Sequence, residues 1–184
     1  MRPALFLDRD GIVNVDHGYV HRQEDVVFVD GIFALCRGAV ARGLLPVIVT
    51  NQSGIGRGHY SEADFHRLMV WMRAEFARQG APIHAVEYCP DHPVHGLGAY
   101  RRDTPRRKPG PGMMLDAAAT HGLDLAASIM LGDKASDAEA ARRARIGTRI
   151  LVTTDAAEAA RAPAGTLILP SVVAAAAWLS GRAI

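Results

Sequence analysis

Asp8 and Asp10 stand one residue apart directly after the apolar run Ala4-Leu5-Phe6-Leu7, and Gly11 follows them. On an extended chain two such acids point to the same side, and like charges that close repel unless a proton or cation shares the site. A divalent metal answers that repulsion. The plainer reading is a strand and a turn, with Asp10-Gly11 as turn residues only. Three further segments bear on the choice. Thr50-Asn51-Gln52-Ser53 follows Leu45-Pro46-Val47-Ile48-Val49 and offers a hydroxyl, amides and backbone N–H groups, a neutral cradle for an oxyanion. Lys108, ahead of Pro109, supplies a cation, and Gly132-Asp133-Lys134-Ala135-Ser136-Asp137 again sets carboxylates where a strand feeds a helix. Each has a bland reading of its own: a polar turn, a surface lysine, an acid favouring a helix dipole. Together they make up a nucleophile, oxyanion donors, a fixed cation and metal ligands, the set that phosphoryl transfer requires.

The elements that must position these groups are legible as apolar, β-rich runs at 4–7, 44–50, 84–89, 128–132, 149–153 and 166–169. Helical patterns occupy 31–42, 61–79, 112–121, 134–145 and 171–179, with Ser61 and Asp64 marking one N-terminus and Gly43, Gly80, Gly122 and Gly147 as stops. The stripe Phe65, Leu68, Met69, Met72 and Phe76 is core packing. An Ala-rich stretch at 155–164 reads as a surface helix and turn. This alternation predicts an α/β fold, a Rossmann-like three-layer sandwich with a mainly parallel central sheet, in one domain across 1–184. Ligands of such sheets gather at the carboxyl edge, and Asp8, Thr50 and Asp133 each end an apolar strand there. Gly54-Ile55-Gly56-Arg57-Gly58 has neither the spacing of a dinucleotide fingerprint nor the Lys-Ser/Thr of a Walker loop, and reads as a turn permitting close backbone approach.

With 49% apolar and 22% charged residues in 184, a full hydrophobic core is expected. A net charge of +2 and a pI near 8.7 do not call for nucleic acid, although Arg101, Arg102, Arg106, Arg107 and Lys108 form a local group. Cys36 and Cys89 cannot build a disulfide framework, which fits a reducing cytoplasm. The longest apolar run, 172–179, is far short of a membrane span. No membrane partner is expected, and nothing requires assembly beyond a monomer.

In order along the chain, Asp8-Arg9-Asp10-Gly11, Thr50, Lys108 and Gly132-Asp133 with Asp137 resemble the four signatures of the haloacid dehalogenase (HAD) superfamily of phosphohydrolases, over residues 4 to about 153. The resemblance implies that Asp8 attacks phosphorus to form an aspartyl-phosphate. Asp10 would protonate the leaving oxygen and then activate water, keeping its proton more easily beside Asp8. Mg²⁺ would be held by Asp8, the Asp10 carbonyl and Asp133, while Thr50, Asn51 and Lys108 orient and offset the phosphate charge. Asp137, a helical turn beyond Asp133, is expected to hold Lys134 or a water rather than metal. Residues 11–43 and 54–107 leave little room for the inserted cap domain of many members, so a capless, open site is expected.

Among capless members the chain is similar to the heptose-bisphosphate and histidinol-phosphate phosphatase subfamily, on Asp8 through Asn14, Thr50 through Gly58, Arg107-Lys108-Pro109 and Gly132-Asp133-Lys134. That likeness implies a small sugar-phosphate substrate in contact with Asp16, His17, Gly18, Tyr19, Gln52, Ser53, Arg107 and Lys134, Arg107 forking onto a second phosphate that is not hydrolysed. Histidinol phosphate and a nucleic-acid 3′-phosphate are the alternative substrates. A non-catalytic phosphate-binding protein is disfavoured by the intact acids. The subfamily's usual zinc loop ahead of Arg-Lys-Pro is altered, Cys89, Asp91, Thr104 and Arg106 standing at its four ligand places. Zinc is therefore not expected, Cys89, His92 and His95 being too few donors, and Pro90, Pro93 and Pro105 are expected to shape the loop.

Overall fold

The computed structural model describes residues 1–181, and its architecture follows from strands that are apolar on both sides. Strand β1 (Ala4–Leu7) is buried at every position. With a side-chain period of two, Leu5 and Leu7 enter one hydrophobic cluster and Ala4 and Phe6 a second one. Strand β2 (Leu45–Asn51) does the same, sending Ile48 to the first cluster and Val47 and Val49 to the second. The sheet must therefore be covered on both faces. Helices α1 (Ile32–Ala41), α3 (Glu62–Arg78) and α7 (Val172–Ser180) cover the first face. Helices α4 (Gly112–His121) and α5 (Ala135–Arg143) cover the second, through Met113, Met114, Ala117, Ala140 and Ala141.

The remaining strands are β3 (Ala85–Cys89), β4 (Ile129–Gly132), β5 (Thr148–Val152) and β6 (Leu167–Leu169). The sheet runs in the order β3-β2-β1-β4-β5-β6, and every pairing is parallel, so the expected mainly parallel sheet is parallel throughout. The order reverses between β1 and β4. Chain leaving those two strands diverges, opening the crevice in which ligands of such sheets lie. Between β1 and β2 there is a loop, a single 3-10 turn (Gln23–Asp25) and α1.

Boundaries agree with the sequence to within one or two residues, and capping chemistry explains several of them. The Ser61 hydroxyl accepts from Asp64 N while the Asp64 carboxylate accepts from Ser61 N, a reciprocal cap that starts α3. In the Ala-rich stretch, α6 (Ala156–Arg161) buries none of its residues, and the Asp155 carboxylate caps it at Ala157 N. One expectation changes. Residues 54–56, read as part of a glycine turn over 54–58, join Ser53 in a one-turn helix α2 (Ser53–Gly56), in which Arg57 N donates to Ser53 O at 2.9 Å. Packing against Tyr60 and the Pro90 carbonyl overrides the poor helix propensity of glycine there.

Candidate active site

Asp8 leaves the end of β1 at 8% exposure, and its Oδ1 accepts from Arg9 N at 2.8 Å and from Lys108 Nζ at 2.8 Å. Its other oxygen makes no hydrogen bond to any described residue. Burial pushes the Asp8 carboxyl up to about 8; Lys108 pulls it down, and the nearby Asp137 and Asp10 push it further up. Lys108 is fixed from four sides. Its ammonium meets Asp8, Asp137 Oδ1 at 2.7 Å and the Val49 carbonyl at 2.9 Å, and its peptide is gripped by the Asn51 amide, which accepts from Lys108 N and donates to Lys108 O. Burial works against the charged ammonium, but the two carboxylates outweigh it and hold it above the usual lysine range.

Asp133 follows β4, across the sheet's switch point from Asp8. Gly11, in the left-handed region at φ 91°, lies so close that a β-carbon there would sit 2.5 Å from Asp133 Oδ2. Only glycine allows that approach. Asp133 Oδ2 pairs with Lys134 Nζ at 3.0 Å, whereas its Oδ1 is buried without a hydrogen-bond partner. Burial, and then Asp137, raise the Asp133 carboxyl. Asp8, Asp133 and Asp137 each bring a carboxylate oxygen within 4.8 Å of the others, the one such group of acid, His or Cys side chains among the described residues. Hard oxygen donors, an orphaned buried carboxylate oxygen and mutual repulsion together fit a divalent Mg²⁺. The fit falls to Asp8 and Asp133, because both Asp137 oxygens are engaged, Oδ1 by Lys108 and Oδ2 by Lys134 N. Asp137 thus holds Lys134, as expected, through its main-chain N–H, and in addition the ammonium of Lys108.

Asp10 is held where the sequence reading did not foresee it. Arg9, 1% exposed and among the largest fully buried side chains, forks onto the Asp10 carboxylate at 2.7–3.1 Å and also donates to Val20 O at 2.8 Å. Asn14 and Gln52 donate to the two Asp10 oxygens, each at 3.1 Å. The Gln52 amide also donates to Thr50 Oγ1 at 2.7 Å and accepts from Tyr60 Oη at 2.6 Å. Arg9, Asn14 and Tyr60 are the members of this network that the sequence did not single out for it; only Asn14 carried a signal, its position four residues after Asp10.

Asp8, Asp10, Gln52, Tyr60, Lys108 and Asp133 face a cavity of about 420 Å³. Of the residues expected to contact substrate, Asp16, Gly18, Tyr19, Asn51, Gln52, Ser53 and Lys134 are in its walls with Asp8, Asp10, Lys108 and Asp133. Three expected site residues are elsewhere. Thr50 is 1% exposed beneath Gln52, His17 lines a neighbouring hollow with Tyr19, His21 and His59, and Arg107 donates to the Asp91 carbonyl at 3.1 Å outside the cavity wall. A hollow of about 490 Å³ on the far side of Tyr60 contains none of the Asp8, Asp10 and Asp133 acids, so it is not where the chemistry sits.

The loop ahead of Arg107 is held by ion pairs. Asp91, 2% exposed, pairs through Oδ1 with Arg102 Nε at 3.0 Å, and Arg106 bridges Glu87 at 2.8 Å and Asp116. The Cys89 thiol is buried, 3.9 Å from Asp91 Oδ2. No helix among the described residues is long and apolar enough to cross a membrane.

A family model described as HAD-hydrolase-like matches residues 105–175, a stretch that includes Lys108, Asp133 and Asp137. D-glycero-alpha-D-manno-heptose-1,7-bisphosphate 7-phosphatase of Burkholderia mallei is 54% identical over 149 residues, 81% of this chain and 79% of that protein. The D-glycero-beta-D-manno-heptose-1,7-bisphosphate 7-phosphatase of Vibrio cholerae serotype O1 is 49% identical over 83% of this chain and 82% of its own length. Among solved structures, D,D-heptose 1,7-bisphosphate phosphatase from B. bronchiseptica, complexed with magnesium and phosphate, superposes with a TM-score of 0.84 at 29% identity, covering 98% of this chain and 99% of the other.

Proposed function

The chain belongs to the D-glycero-D-manno-heptose-1,7-bisphosphate 7-phosphatase family of HAD-like hydrolases, and from that membership we propose that it is a Mg²⁺-dependent phosphatase removing the 7-phosphate of that heptose bisphosphate. The observation that carries the reading is the buried Lys108 ammonium locked between Asp8 and Asp137 at the mouth of β1. A fixed, desolvated cation beside an otherwise free carboxylate oxygen suits a site that must accept a phosphate dianion next to an anionic nucleophile.

In this account the free oxygen of Asp8 attacks phosphorus, the bond from phosphorus to the C7 oxygen breaks, and the Asp10 carboxyl gives its proton to the departing oxygen. Water then attacks phosphorus of the aspartyl-phosphate, Asp10 takes its proton, and inorganic phosphate leaves with Asp8 restored. Asp8, Asp133 and the main-chain carbonyl of Asp10 would hold Mg²⁺, which when bound supplies charge neutralisation at the phosphoryl oxygens. Lys108 offsets the charge on the same oxygens, and Gln52, supported from beneath by the Thr50 hydroxyl, keeps Asp10 in register. Asp16, Gly18, Tyr19, Ser53 and Lys134 would meet the sugar, with Lys134 and Arg107 serving the second phosphate. The chain is proposed to act as a monomeric single domain in the cytoplasm, without zinc.

The test is a turnover panel of both anomers of heptose 1,7-bisphosphate, fructose 1,6-bisphosphate and histidinol phosphate, each with Mg²⁺ and with EDTA. A heptose bisphosphate is expected to lead in kcat/KM by at least about tenfold and to be silenced by EDTA. A lead for histidinol phosphate would overturn the substrate.

A further inference from the structure

Two guanidinium groups meet near the active site without a carboxylate of their own. Helix α2 starts in the cavity wall, where Gln52, Ser53 and Gly54 lie, and ends at Gly56. A β-carbon on Gly56 would sit 2.4 Å from the Pro90 carbonyl oxygen, and Gly56 O accepts from Leu97 N at 2.8 Å. Arg57 is the next residue, roughly 6 Å along the axis from Ser53 at the rise of a helix. On the other side of the same contact the Arg107 guanidinium donates to the carbonyl of Asp91, the neighbour of Pro90.

Their surroundings leave both charges largely unmatched. The Asp91 carboxylate is shared out to Arg102, and the Arg57 guanidinium makes no hydrogen bond or ion pair with any described residue, its Nε being buried and unpartnered. The neighbouring basic residues differ: Arg102 has Asp91, Arg106 has Glu87 and Asp116, and Lys108 has Asp8 and Asp137. Burial lowers Arg107 from its ordinary value and the Arg57 charge lowers it further, with Cys89 and Asp91 acting the other way. His92 is likewise lowered, by burial and then by Arg107 and Arg57. Two partly buried forks within reach of each other's charge and without an ion pair of their own are an unfavourable arrangement that a dianion would relieve, since each fork matches phosphate geometry.

We propose that Arg57 completes, with Arg107, the seat of the phosphate that is not hydrolysed, and is a specificity-determining residue for a bisphosphate over a monophosphate. The assignment rests on the bisphosphate reading of the site. Its test is steady-state kinetics of the wild type, Arg57→Gln and Arg57→Lys on heptose 1,7-bisphosphate and on heptose 7-phosphate, which lacks the group that Arg57 would meet. Arg57→Gln is expected to lower kcat/KM for the bisphosphate about tenfold or more, mainly through KM, and that for the 7-phosphate less than about twofold, with Arg57→Lys in between. Turnover of the 7-phosphate also shows that the variants are folded. Equal losses on both substrates, or none on either, would overturn the assignment. A wild type that turns over both substrates equally would instead remove the bisphosphate reading, and this seat with it.

Discussion

Asp8→Asn is expected to lower turnover by at least about 10³-fold while raising the melting temperature of the metal-free protein. The near-isosteric amide cannot attack phosphorus, and neither Asp133 nor Asp137 can replace it: one is across the switch point, the other has both oxygens engaged. The stability gain follows from the same burial. Burial pushes the Asp8 carboxyl from the ordinary 3.8 up to about 8, so between those values the folded state holds a proton that the unfolded chain releases. A group shifted that way makes stability fall as pH rises through the interval. Asparagine removes that slope. The gain should therefore be nil below about pH 4 and grow towards pH 8. Calorimetry in EDTA across that range checks it; a gain independent of pH, or a loss, would show that Asp8 is not the strained group. Turnover within a few-fold of wild type would dismiss Asp8 as nucleophile.

Lys108→Met should be costly in both respects. The side chain it removes is the counter-ion of two buried carboxylates and the donor to the Val49 carbonyl. Breaking one partner out of a buried ion pair costs about 3–5 kcal/mol, because the remaining charges stay desolvated and repel. For a chain of this size that corresponds to a fall of roughly 10 °C in melting temperature. Turnover should drop by about 10²-fold or more, as expected where a fixed charge facing the transferred phosphoryl group is lost. Thermal melting and kinetics on the same preparation measure both. A variant melting within about 2 °C of wild type would mean that the Asp8–Lys108–Asp137 chain is not a stability element.

What the sequence disclosed and what it withheld have physical reasons. A strand buried on both faces must be apolar throughout, so β1 and β4 announce themselves, and Asp8 and Asp133 stand out as the first polar residues after them. Arg9 gave the opposite signal, because a guanidinium usually marks surface, yet its Nε and Nη2 are paired inside with Asp10 and Val20 O, while Nη1 is buried without a partner. The Asn51 clamp on Lys108 spans 57 positions and the Asp137 pair on the same lysine spans 29, and no local pattern encodes contacts made only by the closed sheet. Thr50 was legible as a strand-end hydroxyl, but not its place beneath Gln52. Helix α2 was hidden because two of its four residues are glycine, a poor helix former held here by its neighbours.

The central claim, that this site releases the C7 phosphate of a heptose bisphosphate through Asp8, is tested most directly by following heptose 1,7-bisphosphate by phosphorus NMR during turnover. With Mg²⁺ and the wild-type chain, the C7 phosphomonoester signal should decay into inorganic phosphate while the anomeric phosphate signal persists; EDTA or Asp8→Asn should leave the spectrum unchanged. Decay of the anomeric signal first, or equal decay of both, would contradict the account.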